Sequence, residues 1–241
     1  MPHTGTLYLI PAPLATTPLT DTLPQGTLAL IPRLFHFVVE ELRTARRYLS
    51  LVGLKGCIDD LTFFILNEQT PQKELDGMLL PLLEGHDMGL LSEAGVPAVA
   101  DPGAALVALA HQKEIHVAPL VGPSSILLAL MASGLNGQSF AFVGYLPVAS
   151  TLRKKRIKCL EQKVIHEDQT QIFMETPYRN IALFQDLLLV CAPQTHLCLA
   201  ANLTALDAFI TTKTIHQWRT APLPPIHKRP TIFLLGNFYL C

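Results

Sequence analysis

The sequence predicts an α/β protein made of two α/β domains. Three observations point there. The chain has 241 residues, more than one ordinary domain needs. Short apolar runs alternate with helical patterns through its first half, the signature of a mostly parallel sheet flanked by helices. A Gly/Asn/Ser cluster, Gly134 to Ser139 (GLNGQS), follows the apolar run that closes that half and reads as a hinge. The expected division is therefore an N-terminal domain over 1–135 with five mostly parallel strands and a smaller C-terminal domain over 139–241.

In order, the five expected strands are Thr6 to Ile10, Leu28 to Ile31, Thr62 to Leu66, Met88 to Leu91 and Ile115 to Pro119. Helices are expected over Phe35 to Leu51 and Pro102 to Gln112. The second opens on a proline, acceptable in a first turn, and carries an apolar face of Ala104, Leu106, Val107, Leu109 and Ala110. Val121 to Leu135 reads as a buried helix, because it falls short of the roughly 20 residues that cross a bilayer. In the second half, strands are expected at Ala141 to Tyr145, Thr170 to Met174, Leu197 to Ala201 and Thr231 to Leu235. A basic helix over Arg179 to Val190 and a Pro-rich segment over Ala221 to Pro230 interrupt them.

Composition narrows the class. Hydrophobic residues make up 49% and charged residues 15%, so the chain has apolar surface to hide, in a core and in a homodimer interface. The N-terminal MPHTGTLYLIPAP lacks the basic start and apolar core of a secretory signal, which leads to the expectation of a cytoplasmic protein with no membrane partner. Five cysteines at 57, 159, 191, 198 and 241 form no C-x-x-C pair, so neither a disulfide framework nor a metal site is expected. A net charge of −1 gives no global attraction to nucleic acid, but the run Arg153-Lys154-Lys155-Arg156-Ile157-Lys158 is a local patch that either meets phosphates or forms a solvated helix face.

The phosphate loop, dinucleotide turn, metalloprotease helix and nucleophile elbow are all absent. What remains are loops at strand ends, where open α/β sheets place ligands. Pro11 to Pro18 (PAPLATTP), Ser92 to Gly103 (SEAGVPAVADPG), Gly122 to Ser125 (GPSS) and Glu175 to Arg179 (ETPYR) are four of them. Gly95 and Gly103 let backbone approach a ligand, the prolines stiffen the wall, and Ala94, Ala98 and Ala100 leave room for an adenosine-sized body. Each loop alone is ordinary turn chemistry; their conjunction is the signal.

Together with Gly5 to Pro13 (GTLYLIPAP), Glu40 to Leu51 (EELRTARRYLSL), Phe140 to Pro147 (FAFVGYLP), Phe173 to Arg179 (FMETPYR) and Pro230 to Gly236 (PTIFLLG), these loops resemble the tetrapyrrole methylases in content and order. The resemblance spans nearly the whole chain and is strongest to the branch that methylates a cytidine ribose of small-subunit ribosomal RNA. It implies a bilobal homodimer that binds S-adenosyl-L-methionine between its domains. On that reading Ser92, Glu93, Ala94, Gly95, Val96, Val99 and Ala100 hold the cofactor, with Pro11, Ser124, Ser125, Met174, Pro230 and Thr231 around it. Leu14 and Thr16 border the substrate, and Arg153, Lys154 and Lys155 meet RNA.

The chain departs from that branch at several acidic or polar positions. It has Glu93-Ala94-Gly95-Val96-Pro97 where relatives usually read Asp-Ala-Gly-Thr-Pro, and Glu40-Glu41-Leu42-Arg43 where they read Glu-Asp-Thr-Arg. Methyl transfer needs alignment of nucleophile, methyl and sulfur rather than a metal, plus a base if the acceptor is a hydroxyl. Glu40, Glu41 and Glu93 are the candidate carboxylates, and Arg179 could hold a substrate anion or pair with Glu175. Two other functions remain open at this level: methylation of a tetrapyrrole or another small metabolite, and a catalytically degenerate binding or interaction protein.

Overall fold

A computed structural model describes residues 4–238, and the fifth cysteine, Cys241, lies outside them. The chain divides into two compact units, with the boundary between Ser124 and Ser125. The Gly134 to Ser139 cluster is therefore not the boundary. The helix that precedes the cluster packs against the sheet of the second unit, so the chain changes unit before that helix rather than after it.

The first unit contains β1 (Thr6–Ile10), α1 (Gln25–Leu30), β2 (His36–Val39), α2 (Leu42–Leu49), β3 (Thr62–Ile65), α3 (Leu75–Met78), α4 (Leu80–Leu83), β4 (Met88–Leu91), α5 (Gly103–Gln112) and β5 (His116–Pro119). Its strands form one sheet in the order β3-β2-β4-β1-β5, and every pairing is parallel. Parallel sheets are buried on both faces. Side chains accordingly alternate between two cores: Phe37 and Val39 join Ile10, Tyr48 and Leu49 on one face, while Val38 joins Leu7, Leu90 and Leu106 on the other.

Two expected elements exchange places here. Leu28 to Ile31 is not a strand: α1 occupies it and a 3-10 turn over Ile31–Arg33 follows. The second strand begins instead at His36, inside the stretch expected to be helical. Four apolar residues fit a strand or a helix equally well, and the paired β-branched Val38 and Val39 carry the deciding β preference. The helix starts only after Glu41, whose carboxylate caps it by accepting from Thr44 N at 2.7 Å.

The second unit contains α6 (Ser125–Ser133), β6 (Phe140–Tyr145), α7 (Ser150–Glu167), β7 (Thr170–Met174), α8 (Asn180–Val190), β8 (His196–Ala201), β9 (Phe209–Thr214), α9 (Ile215–Thr220) and β10 (Thr231–Gly236). The sheet runs β6-β7-β10-β8-β9, with β6 parallel to β7 and the remaining pairs antiparallel. Strand β9 went unmarked in the sequence. Its residues FITTKT lie at a sheet edge and none is buried, so no long apolar run announces it.

Helix α7 presents Ile157, Leu160 and Val164 to a core that includes Leu183 and Leu187 of α8 and Phe173 and Phe233 of the sheet. Two other helices correct the sequence reading. Helix α6 is not buried all round, since Met131 remains 79% exposed. Helix α8 is not basic: Arg179 precedes it, and none of its own residues carries a positive charge.

Candidate functional site

The register of the first sheet decides which loops meet. Leu91 of β4 lies opposite both Ile10 of β1 and Val39 of β2. The next residues, Ser92, Pro11 and Glu40, therefore leave the sheet at one carboxyl edge. The connections from adjacent β1 and β4 then run in opposite directions, to β2 and to β5. In open parallel sheets this divergence is where ligands bind.

The two loops are tied together by backbone. Ala12 N donates to Gly95 O at 2.8 Å and Gly95 N donates to Ala12 O at 3.0 Å. Gly95 has φ +78°, and a Cβ there would lie 3.3 Å from Leu14 Cδ2, so glycine is needed both for conformation and for room. Further along the loop, Ala98 and Ala100 also hold positive φ, of 65° and 56°. Left-handed alanine is uncommon and persists where its surroundings impose it. Asp101 is one such constraint: its carboxylate accepts from Gly103 N at 2.7 Å and from the Ala98 backbone. Burial nonetheless pushes its pKa up.

On the other side, the buried Tyr48 of α2 donates its hydroxyl to Pro11 O at 3.0 Å and anchors the loop after β1. Between α2 and the two loops lies a cleft of ≈ 290 Å³, at the lower edge of the roughly 300–1,000 Å³ typical of small-molecule sites. Its wall includes Leu14, Thr16, Glu40, Thr44, Ser92 and Glu93.

Its electrostatics are unusual. Glu40 is half-buried, and its pKa is raised by desolvation, then by the negative charges of Asp101, Glu93 and Glu68. The Glu93 carboxyl is also raised, first by desolvation against the cleft wall. Hydrogen bonds from the Thr44 side chain and the Glu41 backbone partly offset this. Glu41 differs: its hydrogen bonds from Thr44 and Arg43 hold its carboxyl below the usual range, and it acts as the cap of α2. Thus two carboxyls in one cleft have their proton affinity raised, and the third is a structural cap.

In the second unit, Ile232 of β10 pairs with Met174 of β7, and Thr231 pairs with Ala201 of β8. Met174, Pro230 and Thr231 thus share one end of that sheet. Asn180, fully buried, fixes this end by donating to Arg229 O at 2.7 Å and Thr231 Oγ1 at 3.1 Å. Ser124 closes the first unit and Ser125 opens α6.

Three sequence expectations change role. Arg153 is buried, donating from Nε to Asp186 Oδ2 at 2.8 Å and from Nη1 to Val148 O at 2.8 Å, so it cannot meet a phosphate. Lys154 leans on the same aspartate at 3.3 Å, whereas Lys155 is exposed. Arg179 donates from Nε and Nη2 to Glu175 Oε1, at 3.0 and 2.6 Å, which makes it the counter-ion of a buried carboxylate rather than a free anion receptor. Asp101, Tyr48, Thr44 and Thr17 are site residues that the sequence reading passed over. Among them only Asp101 carried a signal, an aspartate just ahead of a Pro-Gly helix start.

Comparison with known proteins is decisive for kinship. The chain is 31% identical over 216 residues to the ribosomal RNA small subunit methyltransferase I of Haemophilus influenzae, covering 90% of this chain and 72% of that protein. The chain belongs to the ribosomal RNA small subunit methyltransferase I family. The relative of that name from Escherichia coli O157:H7 is 31% identical over 212 residues, covering 88% of this chain and 68% of its own. No family model matches the chain. Among solved structures, the methyltransferase CobJ superposes with a TM-score of 0.63 at 14% identity, over 98% of this chain and 94% of its own. A uroporphyrin-III C-methyl transferase from Thermus thermophilus complexed with S-adenyl homocysteine gives 0.58 at 14% identity, over 97% and 98%. The family member described here thus has the tetrapyrrole methylase fold. Among its described residues no helix is long and apolar enough to cross a membrane, and no cluster of His, Cys, Asp and Glu could hold a metal.

Proposed function

We propose that this chain transfers the methyl group of S-adenosyl-L-methionine to a ribose hydroxyl of small-subunit ribosomal RNA, with Glu40 as the base. The observation that carries this is the carboxylate pair in the cleft beside the backbone-clamped loops, in a chain whose relatives are named ribosomal RNA small subunit methyltransferases.

The residues present fit the cofactor. Gly95 clamps the loop to Ala12 through its backbone, Ala94 and Ala100 are small and exposed, and Val99 is 47% exposed. Ser92 to Val96, Val99 and Ala100 would hold it, with Pro11 alongside. When bound, S-adenosyl-L-methionine supplies an electrophilic methyl on sulfur.

The protein supplies the rest. Leu14 and Thr16 would position a ribose hydroxyl in the cleft, and the Glu40 carboxylate would take its proton while S-adenosyl-L-methionine, if bound, would supply the methyl group and leave as the neutral thioether. Glu40 suits that role because desolvation and three like charges raise its proton affinity toward the operating pH, and it spends no hydrogen bond on the described residues. Glu93, held by Thr44 and the Glu41 backbone, keeps Glu40 in that state through its charge. Lys155, Arg156 and Lys158, exposed on α7, supply phosphate contacts, and Lys154 joins them from its place beside Asp186. The protein works in the cytoplasm as a homodimer, a state supported by its 49% hydrophobic composition.

The test is transfer of labelled methyl from S-adenosyl-L-methionine to small-subunit ribosomal RNA and, in parallel, to a small-molecule extract. Label in ribose 2′-O-methyl nucleosides is the expected outcome. Label confined to the small-molecule fraction, or no cofactor binding by calorimetry, overturns the reading.

A further inference from the structure

Arg47 has no role in the fold or in the chemistry above. It lines the same cleft as Glu40, Thr44 and Leu51, and on α2 it stands three residues after Thr44, the spacing that keeps two side chains on one helix face. Its neighbour Arg46 turns away and pairs with Asp59. Arg47 is exposed and forms no ion pair or hydrogen bond with the described residues. It does not neutralise the cleft carboxylates either, since Glu40 and Glu93 are both shifted toward the protonated form. Thr17 belongs to the same lining, its Oγ1 is buried and lacks a hydrogen-bond partner, and the exposed Thr16 is its chain neighbour.

An unpaired guanidinium and an unsatisfied hydroxyl in the lining of one cleft form a receptor for an oxyanion. Guanidinium binds phosphate through paired N–H groups, and a buried hydroxyl left unsatisfied costs stability until something occupies it. We infer that Arg47 and Thr17 hold a phosphate of the acceptor RNA strand adjoining the methylated ribose. The inference rests on the RNA reading of the same cleft and names the group that positions the ribose against Glu40. A phosphate is favoured over the carboxylate of the cofactor because Arg47 lies at the exposed rim, with Arg43 exposed one turn before it. Such a pair can follow a chain of phosphates.

The experiment measures binding of a single-stranded RNA oligonucleotide by fluorescence anisotropy across a salt series, for the parent chain, Arg47→Gln, Arg47→Lys and Thr17→Val. Calorimetry with S-adenosyl-L-methionine runs alongside. Arg47→Gln is expected to weaken RNA binding about tenfold and to flatten the slope of log K against log salt by about 0.7, one phosphate contact on a single strand. Arg47→Lys should recover the slope, Thr17→Val should weaken binding without changing it, and cofactor affinity should stay at the parent value in all three. An unchanged slope in Arg47→Gln overturns the inference, and so does a weakened cofactor, which would assign Arg47 to the cofactor carboxylate. The two readings fail separately: a parent chain that methylates RNA with an Arg47→Gln slope equal to its own sinks only this inference. A parent that binds RNA without methylating it sinks only the assigned reaction.

Discussion

Arg153 of α7 and Asp186 of α8 form a nearly solvent-free ion pair, with Nε to Oδ2 at 2.8 Å and Nη2 to Oδ2 at 2.5 Å. Desolvation alone would raise the Asp186 carboxyl. The hydrogen bonds and charge of Arg153, with hydrogen bonds from Lys154 and Ser150, outweigh it and hold the group below the usual range. Removing the arginine leaves a buried carboxylate with only Lys154 and Ser150 as partners. Arg153→Met is expected to destabilise the chain by about 3–5 kcal/mol in denaturant unfolding, and Arg153→Met with Asp186→Leu by much less. The salt slope of RNA binding should not change in either.

Glu40→Gln removes the base and keeps the shape. Loss of general-base help is expected to lower kcat about 10²- to 10⁴-fold at neutral pH, with the dissociation constant for S-adenosyl-L-methionine within about twofold of the parent. In the parent, kcat/KM should rise with pH through an apparent pKa above the ordinary glutamate value of 4.5, because desolvation and neighbouring charge raise it.

The same substitution should stabilise. A carboxyl whose folded pKa lies above its unfolded one binds more protons in the folded state, so its contribution to stability is present at low pH and declines as pH rises through the folded value. At neutral pH the ionised Glu40 is therefore a liability, and Glu40→Gln should melt higher than the parent. The advantage should fade as pH is lowered through the usual carboxylate range.

Gly122 lies against Pro11. A Cβ at that position would fall 2.2 Å from Pro11 Cγ and 2.3 Å from Pro11 Cβ, so Gly122→Ala must displace the loop after β1. The expected result is a loss of about 1–3 kcal/mol in unfolding free energy, typical of overpacking, together with weaker cofactor binding by calorimetry.

His36 and His196 both have pKa values below the model-peptide 6.5, each through desolvation first; at His36 the charge of His86 adds to it and that of Glu84 opposes it. Here the unfolded chain takes up protons first. Stability is full above about pH 6.5 and is lost as pH falls through the folded values. Replacing both residues with Gln should flatten the acid limb of a Tm-against-pH curve below about pH 6.5.

How far the sequence foretold these features depends on the kind of signal each residue leaves. Strands β1, β4 and β5 were legible because short apolar runs bounded by turn residues have few other readings in a parallel sheet. Strand β2 was hidden because its four residues run almost directly into α2, and only Glu40 and the capping Glu41 separate the two periods. Arg153 was misread for a related reason: within a run of five cations it looked like one more surface charge, yet it stands in phase with Ile157, Leu160 and Val164, the buried stripe of α7. The cleft was only half visible. Loops after strands are readable from Gly and Pro, but the proximity of Glu40 to Glu93 depends on β2 and β4 pairing in register, a long-range fact that no local pattern encodes.

The order of the first sheet also governs how the chain matures. Strand β1 leaves the ribosome well before both of its neighbours, β4 at Met88–Leu91 and β5 at His116–Pro119. At synthesis rates of about 5–20 residues per second, the roughly 80 residues that precede β4 keep Thr6 to Ile10 without a partner for about 4–16 s. During that interval a hydrophobic strand awaits an interior seat in a sheet that does not yet exist. A newborn chain is therefore exposed to aggregation at β1 until β4 emerges, and slowing translation between β1 and β4 should lengthen that window.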